Sequence, residues 1–342
     1  MIKRISVIIP NRNGADTIGD CLKAVFASED DNFDVTVIDD CSDDDSIEII
    51  SRYPCKLIRL KVHAGASRAR NVGARAVDGD ILFFTDSDCL LTKNTLAIAR
   101  RSLTKLGGNF IVGGTYTKKP FDPGFFSMFQ SVFINYSETK KADDPAYIAG
   151  HAMAIYSRTF SAGAGFNEDV YPILEDVDFS AMMKAKGYKL IIDPAILVRH
   201  IFNFSFTGSI RNAFTKARYW ARYSATHGDL FTDSGTASLE LKTTAMLFFA
   251  STALIITGFA LDSITPFYLA IAGALLWTGM MKKQLATFLE AGGAFFALLA
   301  AVYYFTLFQL SASAGALTGI ATAFCKTGKK PDAGLAPDKE QS

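Results

Sequence analysis

The stretch Asp80-Ile81-Leu82-Phe83-Phe84-Thr85-Asp86-Ser87-Asp88 decides the reading of this chain, because an apolar run passes directly into two carboxylates separated by one residue. A strand of Ile, Leu and Phe is buried on both faces, as in a parallel sheet. The polar residues at its C-terminal end then emerge at the crevice edge, where ligands of α/β proteins sit. Alternate residues of an extended chain point the same way, which lets Asp86 and Asp88 converge on one hard cation, or on a cation and a sugar hydroxyl. The plainer alternative is an Asp-rich turn closing a strand. A D-x-D triplet alone does not choose between them, and its neighbours must.

Toward the N-terminus, Ile5 to Pro10 is a β-branched run closed by proline, the turn residues Asn11-Arg12-Asn13-Gly14 follow, and Ile18, Leu22 and Phe26 give Ala15 to Phe26 a helical spacing. Val35 to Ile38 is a second strand, and it too ends in a carboxylate pair, Asp39-Asp40. A polar turn, Cys41 to Ser46, leads into a helix around Ile47 to Tyr53, which a turn residue can cap. Lys56 to Leu60 reads as a third strand, and the small-residue segment Ala64 to Gly73 opens a helix running to Ala76. Strand and helix units of this length imply a parallel sheet with right-handed crossovers. Two Asp pairs then lie along one crevice. Turns and caps explain Asp43 to Asp45 well and Asp86 with Asp88 poorly, whereas a nucleotide diphosphate with a divalent cation explains both pairs. No G-x-x-x-x-G-K-[ST] occurs and no G-x-G-x-x-G follows the first strand, so a P-loop and a dinucleotide fingerprint are excluded.

Composition narrows the class. The formal net charge of +1 and the scattered Lys and Arg disfavour nucleic acid as a partner. Five cysteines, Cys21, Cys41, Cys55, Cys89 and Cys325, show no C-x-x-C spacing and read as reduced thiols of a cytosolic domain. The first strand begins almost at Met1, so no secretory signal is expected. Hydrophobic residues make up 49% of the 342, a high share for a wholly soluble protein, and the surplus is concentrated toward the C-terminus.

Four motifs in order carry a family likeness: Val7-Ile8-Ile9-Pro10-Asn11, Val37-Ile38-Asp39-Asp40-Cys41-Ser42-Asp43-Asp44, Ala69-Arg70-Asn71-Val72-Gly73, and Gly79 through Asp88. With Gly165-Phe166-Asn167-Glu168, Leu174-Glu175-Asp176-Val177-Asp178-Phe179, Gly187-Tyr188-Lys189-Leu190 and Val198-Arg199-His200, the first two thirds of the chain resembles the family 2 glycosyltransferases of the GT-A fold. The resemblance implies a nucleotide-sugar-binding α/β domain with a mostly parallel central sheet. In it, Pro10 and Asn11 line the nucleoside pocket, Asp39 or Asp40 contacts the base, and Arg70 approaches the nucleotide. Asp86 sits near the ribose with Ser87 beside it in the nucleotide-sugar site, and Asp88 ligates Mg2+ or Mn2+. Asp176 matches the general base of inverting members, with Glu175 paired to it as a catalytic candidate. The plainer reading of Glu175, Asp176 and Asp178 is an acidic first helical turn, favourable to the helix dipole. His200 matches a family position that reaches the metal or diphosphate, and its plainer reading is a structural histidine.

Phe125 to Phe133 carries large apolar residues on more than one face and either packs on the sheet or lies at a membrane. Phe204 to Tyr223 mixes aromatic residues with Arg211, Lys216, Arg218 and Arg222, a pattern for a helix in the headgroup layer within a 204–238 linker. Arg218-Tyr219-Trp220 matches the Q-x-x-R-W element of processive members only in part, which counts against a processive polysaccharide synthase. Uncharged stretches at 243–261, 264–281 and 291–324 read as about three membrane spans within 239–325, with four as the alternative, and 326–342 as a disordered tail. Lys282-Lys283 favours the cytoplasmic side for the 1–203 catalytic domain. The reading that follows is an inverting, metal-dependent transferase. It moves a sugar from a nucleotide donor, by family expectation a UDP-sugar, to a lipid-linked or membrane-associated acceptor in cell-envelope glycan synthesis. A noncatalytic sugar-nucleotide-binding scaffold is the rival class.

Overall fold

The computed structural model describes residues 3–169, 173–228, 230 and 232–325. The expected tail at 326–342 lies outside the described residues. Two compact units are present, one made of 3–121 with 138–202 and the other of 122–137 with 203–325.

The first unit is built on a sheet of eight strands: β1 (Ile5–Asn11), β2 (Phe33–Asp39), β3 (Lys56–Arg59), β4 (Ile81–Phe84), β5 (Cys89–Leu91), β6 (Phe110–Tyr116), β7 (Met153–Tyr156) and β8 (Lys189–His200), in the order β3-β2-β1-β4-β7-β6-β8-β5. In chain order the helices of the molecule are α1 (Ala15–Phe26), α2 (Ser46–Ile50), α3 (Gly65–Arg75), α4 (Thr95–Leu106), α5 (Phe125–Thr139), α6 (Ser157–Ala162), α7 (Glu175–Ala185), α8 (Phe206–His227), α9 (Leu239–Ala260), α10 (Thr265–Met280), α11 (Lys282–Tyr303) and α12 (Gln309–Cys325). The N-terminal half has the expected form: β1 pairs in parallel with β2 and β4, and β2 with β3. Beyond β4 the sheet is mixed, because β7 runs antiparallel to β4 and β6, and β5 antiparallel to β8, while β6 and β8 are parallel.

Burial follows the sequence pattern. All four residues of β4 are buried, as its unbroken apolar run requires, and α1 turns Ile18, Cys21, Leu22 and Val25 inward from its helical stripe. Phe84 stands in a cluster of rings with Phe160 and Phe166, at 5.2 and 5.3 Å between centroids, and Phe179 joins it from α7. That cluster fixes the start of α7 against the C-terminal end of β4.

The second unit is helical. Phe129 of α5 packs on Phe288 of α11, and Phe133 on Phe308, so in this unit the apolar face of α5 meets other helices. Helices α9 and α10 form a hairpin in which Trp277 Nε1 donates to Thr244 Oγ1 at 3.1 Å and Phe259 meets Phe267. Leu239–Ala260 and the run Lys282–Phe324 are long and apolar enough to cross a membrane, and Thr265–Met280 is a shorter apolar helix. The third uncharged stretch, 291–324, belongs to a longer helical run that starts at Lys282 and breaks at Gly293, where φ is 76°. Before the break, Gln284, Phe288 and Ala291 form a one-sided buried stripe. After it the helix continues through a π turn, Tyr304–Phe308, into α12, and among the described residues no turn divides it. At about 1.5 Å per residue the part beyond Gly293 is roughly 48 Å long, more than the thickness of a hydrocarbon core.

Helix α8 is amphipathic, with Tyr219, Trp220 and Tyr223 buried while Arg211 and Lys216 stay exposed. It lies along α12 so closely that Gly315 and Gly319 sit against the backbone carbonyls of Phe214 and Arg218. Any Cβ at either glycine would collide with backbone, so this small-xxx-small spacing serves packing within the chain. Gly319→Leu is expected to lower the stability of the helical unit by about 1 to 3 kcal/mol, the usual cost of overpacking. The check is a drop in thermal midpoint in detergent; an unchanged midpoint would mean that α8 and α12 do not approach at this position.

Candidate active site

The parallel register brings the strand ends together. Asn11 is paired with Asp39 across β1 and β2, and β4, paired beside β1, delivers Asp86, Ser87 and Asp88 to the same edge. Asn11 Nδ2 donates to Asp39 Oδ1 at 3.1 Å, and Asp39 also accepts from the Ser42 hydroxyl and, at 3.1 Å, from its backbone N–H. Asn11 Oδ1 is buried without a hydrogen-bond partner, which leaves an acceptor for a ligand donor beside Asp39. Pro10, one residue earlier on β1, is half-buried. Asp40 is turned elsewhere: its carboxylate accepts the backbone N–H groups of Ala64 and Gly65 and binds His63 Nδ1, all at 2.8 Å, which caps the start of α3. Asp44 likewise caps α1 through Ala15, as the turn-and-cap reading expects.

Arg70 occupies the centre. Only 3% exposed, its guanidinium donates to Asp86 Oδ1 at 2.6 Å and to Glu175 Oε1 at 2.5 Å. Burial works against charge on both partners. Asp86 nevertheless lies below the ordinary carboxylate range, because Arg70, His151 and His200 together outweigh burial, and the guanidinium is in turn raised by Asp86 and Glu175. Gly150 is the residue that makes room for it, since a Cβ there would stand 3.0 Å from the guanidinium.

The adjacent carboxylates of α7 are thereby separated in character. Glu175 is ion-paired, whereas Asp176 accepts the Gly150 N–H at 3.0 Å and the Val177 N–H at 2.8 Å. Burial, reinforced by the negative charge of Glu175, pushes the Asp176 carboxyl up to about 6. That value suits a base working near neutrality. Leu174, immediately before the pair, has φ 83°, a left-handed backbone that is costly for a residue with a branched side chain.

At the other side of the D-x-D, strand β5 pairs Cys89 with His200 of β8. His200 Nε2 comes within 3.5 Å of Asp88 Oδ1, and the ligand atoms of Asp88, Cys89 and His200 lie within 4.8 Å of one another. Burial and the nearby Asp88 push the Cys89 thiol well up, and hard cations such as Mg2+ and Mn2+ prefer oxygen ligands to a thiol. A carboxylate and an imidazole remain. With oxygens of a diphosphate they fit Mn2+, and Asp88 alone suits Mg2+, which prefers an all-oxygen shell.

Sequence reasoning thus singled out residues that the fold brings to one edge: Asn11, Asp39, Arg70, Asp86, Asp88, Glu175, Asp176 and His200. Ser87 is there as well, with its hydroxyl 3.3 Å from where a Cβ of Gly14 would be. It missed Gly150, His151 and Glu138, which no periodicity or spacing marks, and Asn71, whose amide holds the Phe166 backbone at both ends.

A sheet edge of this kind, with a D-x-D beside an imidazole and a desolvated carboxylate, defines a nucleotide-sugar-binding domain of the GT-A type. Residues 6–162 match the model of Glycosyl transferase family 2, and the chain therefore carries a domain of that family. An uncharacterized glycosyltransferase of Haemophilus influenzae is 30% identical over 187 residues, 51% of this chain and 60% of that protein. The poly(ribitol-phosphate) beta-N-acetylglucosaminyltransferase TarS of Staphylococcus aureus is 35% identical over 102 residues, 27% of this chain and 18% of that one. The chain therefore spans less than two thirds of these relatives. Among solved structures, the mannosyltransferase PcManGT of Pyrobaculum calidifontis, in complex with GDP-Man and Mn2+, shares the fold. It has a TM-score of 0.58 at 18% identity, covering 94% of this chain and 88% of that one.

Two outcomes are expected. Arg70→Gln leaves Asp86 and Glu175 without their buried counter-charge and is expected to cost about 3 to 5 kcal/mol, read as a lower unfolding midpoint; a midpoint equal to the wild type would contradict the bridge. If Asp176 is the base, it must be ionised to act, so kcat/KM should rise with pH through about 6 and level off above it. A rate independent of pH between 5 and 7 would remove Asp176 from that role.

Proposed function

We propose that this chain is an inverting glycosyltransferase that moves a sugar from a nucleotide donor, foremost a UDP-sugar, to a lipid-linked or membrane-associated acceptor in cell-envelope glycan synthesis. The observation that carries this reading is the division of labour along one sheet edge. Asn11 donates to Asp39 along this edge, which supports a base contact there; Asp88 beside His200 supports a cation and diphosphate site; and of the two adjacent α7 carboxylates Glu175 is the one paired to Arg70, which supports Asp176 as the base. Asp176 accepts the proton of the attacking acceptor hydroxyl as it bonds to the anomeric carbon. Asp39, rather than the capping Asp40, contacts the base. Arg70 holds the Asp86 and Glu175 carboxylates in place, and so keeps the D-x-D and the start of α7 at constant spacing. A divalent cation held by Asp88 and His200 would neutralise the departing diphosphate.

The apolar helices support the choice of acceptor. Phe259 of α9 and Leu275 of α10 expose most of their surface, as lipid-facing side chains do, and a membrane-held transferase meets lipid-linked acceptors where they reside. We place the catalytic unit on the cytoplasmic side of a multi-pass inner-membrane protein, on the basis of Lys282 and Lys283 at the foot of the hairpin.

The test incubates membranes containing the protein with Mn2+ and labelled UDP-N-acetylglucosamine or GDP-mannose, followed by extraction into organic solvent. Label is expected in the organic phase from one donor, and Asp176→Asn should lower it about 100-fold or more. Transfer only into aqueous product would refute a lipid-linked acceptor, and transfer unchanged in Asp176→Asn would refute the base.

A further inference from the structure

Gly150, whose N–H holds the Asp176 carboxylate, opens a short helical turn, Gly150–Ala152, and the next residue is a histidine to which the reading above gives no role. His151 is 7% exposed and stacks on the ring of Tyr116, with centroids 4.1 Å apart. Its Nε2 lies 3.6 Å from Oε2 of Glu138, in the last turn of α5, and the same oxygen accepts a 2.7 Å hydrogen bond from Thr115 Oγ1. Glu138 is 6% exposed and Thr115 fully buried. A carboxylate so deeply placed is costly beside a hydroxyl and a neutral ring, and is compensated when the ring carries a proton.

We propose that His151 is a positioning residue: charged through Glu138, its imidazolium anchors the turn that holds Asp176 and supplies the positive charge that helps keep that carboxylate ionised. This rests on the reading of Asp176 as the base. His151 faces Glu138 on α5, Asp86 beyond β4 and Asp176 on α7, with the Tyr116 phenol of β6 against its face. Asp176 faces Glu175 beside it, Arg70 on α3 and His151. Burial alone would lower the imidazole; Glu138 first, then Asp86 and Asp176, outweigh it and hold His151 above its ordinary range. By reciprocity the proton on His151 opposes the burial that raises Asp176.

The chain has four histidines, so in the full protein labelled with 13C-histidine each imidazole resonance is assigned by one substitution. His151 is expected to remain protonated at pH 7, and Glu138→Gln to move its midpoint down by about one pH unit or more. A His151 that is neutral at pH 7 in the unmodified chain overturns the proposal whether or not the variants fold, as does a titration that ignores Glu138→Gln. In the transfer assay, His151→Gln and Glu138→Gln should each move the acid limb of kcat/KM to higher pH, which a merely structural role would not do. A limb left in place in both variants, with Asp176→Asn inactive, overturns this inference and leaves the base assignment standing. An active Asp176→Asn removes the base assignment itself.

Discussion

The buried guanidinium of Arg70 is the constraint on which the first unit depends. It takes two carboxylates, one on each terminal nitrogen, from places far apart in the chain, Asp86 after β4 and Glu175 at the start of α7, while its Nε has no hydrogen-bond partner. The bridge therefore measures the distance between the D-x-D and the α7 carboxylates. A side chain that sets such a distance tolerates little substitution: a lysine offers one point of charge where two forked contacts are made. Gly150 follows from the same constraint, since a Cβ there would press on the guanidinium at 3.0 Å.

Because Glu175 is consumed by that bridge, Asp176 acquires a different chemistry from its neighbour although both occupy the first turn of one helix. The helix dipole acts on both, so it cannot be what separates them. Ion pairing on one side and desolvation on the other can, and a carboxyl raised by its surroundings within a cleft is a usual mark of a base. The plainer reading of an acidic helix start describes Glu175 and Asp178 adequately and leaves the raised carboxyl of Asp176 without a cause.

Much of this was legible in sequence where the signal is local. The unbroken apolar run of β4 announces a strand buried on both faces, and the D-x-D at its end follows from chain continuity. The D-x-D's partner across the sheet was not legible from pattern alone: Cys89 meets His200 through an antiparallel pairing of residues far apart in sequence, and no periodicity encodes it. Likeness to a family supplied His200, and nothing supplied His151, a lone histidine among small and apolar residues. In the helical unit, counting charges starts the third apolar stretch at 291, and the backbone breaks two residues later, at Gly293, so that Lys282, Lys283 and Glu290 belong to the helix before the break.

The placement of polar groups on α8 and α12 bears on how such a chain can sit at a membrane. Gly315 and Gly319 bring two backbones into contact, which gives dispersion and weak C–H to carbonyl contacts without calling on hydrophobic burial. Ser311 Oγ donates to the Ile210 carbonyl at 2.8 Å and Ser209 shares a 2.8 Å hydrogen bond with Tyr303, so these hydroxyls are answered within the helical unit. Backbone contact of this kind holds in either solvent, water or lipid, and Arg211 and Lys216 lie exposed on α8.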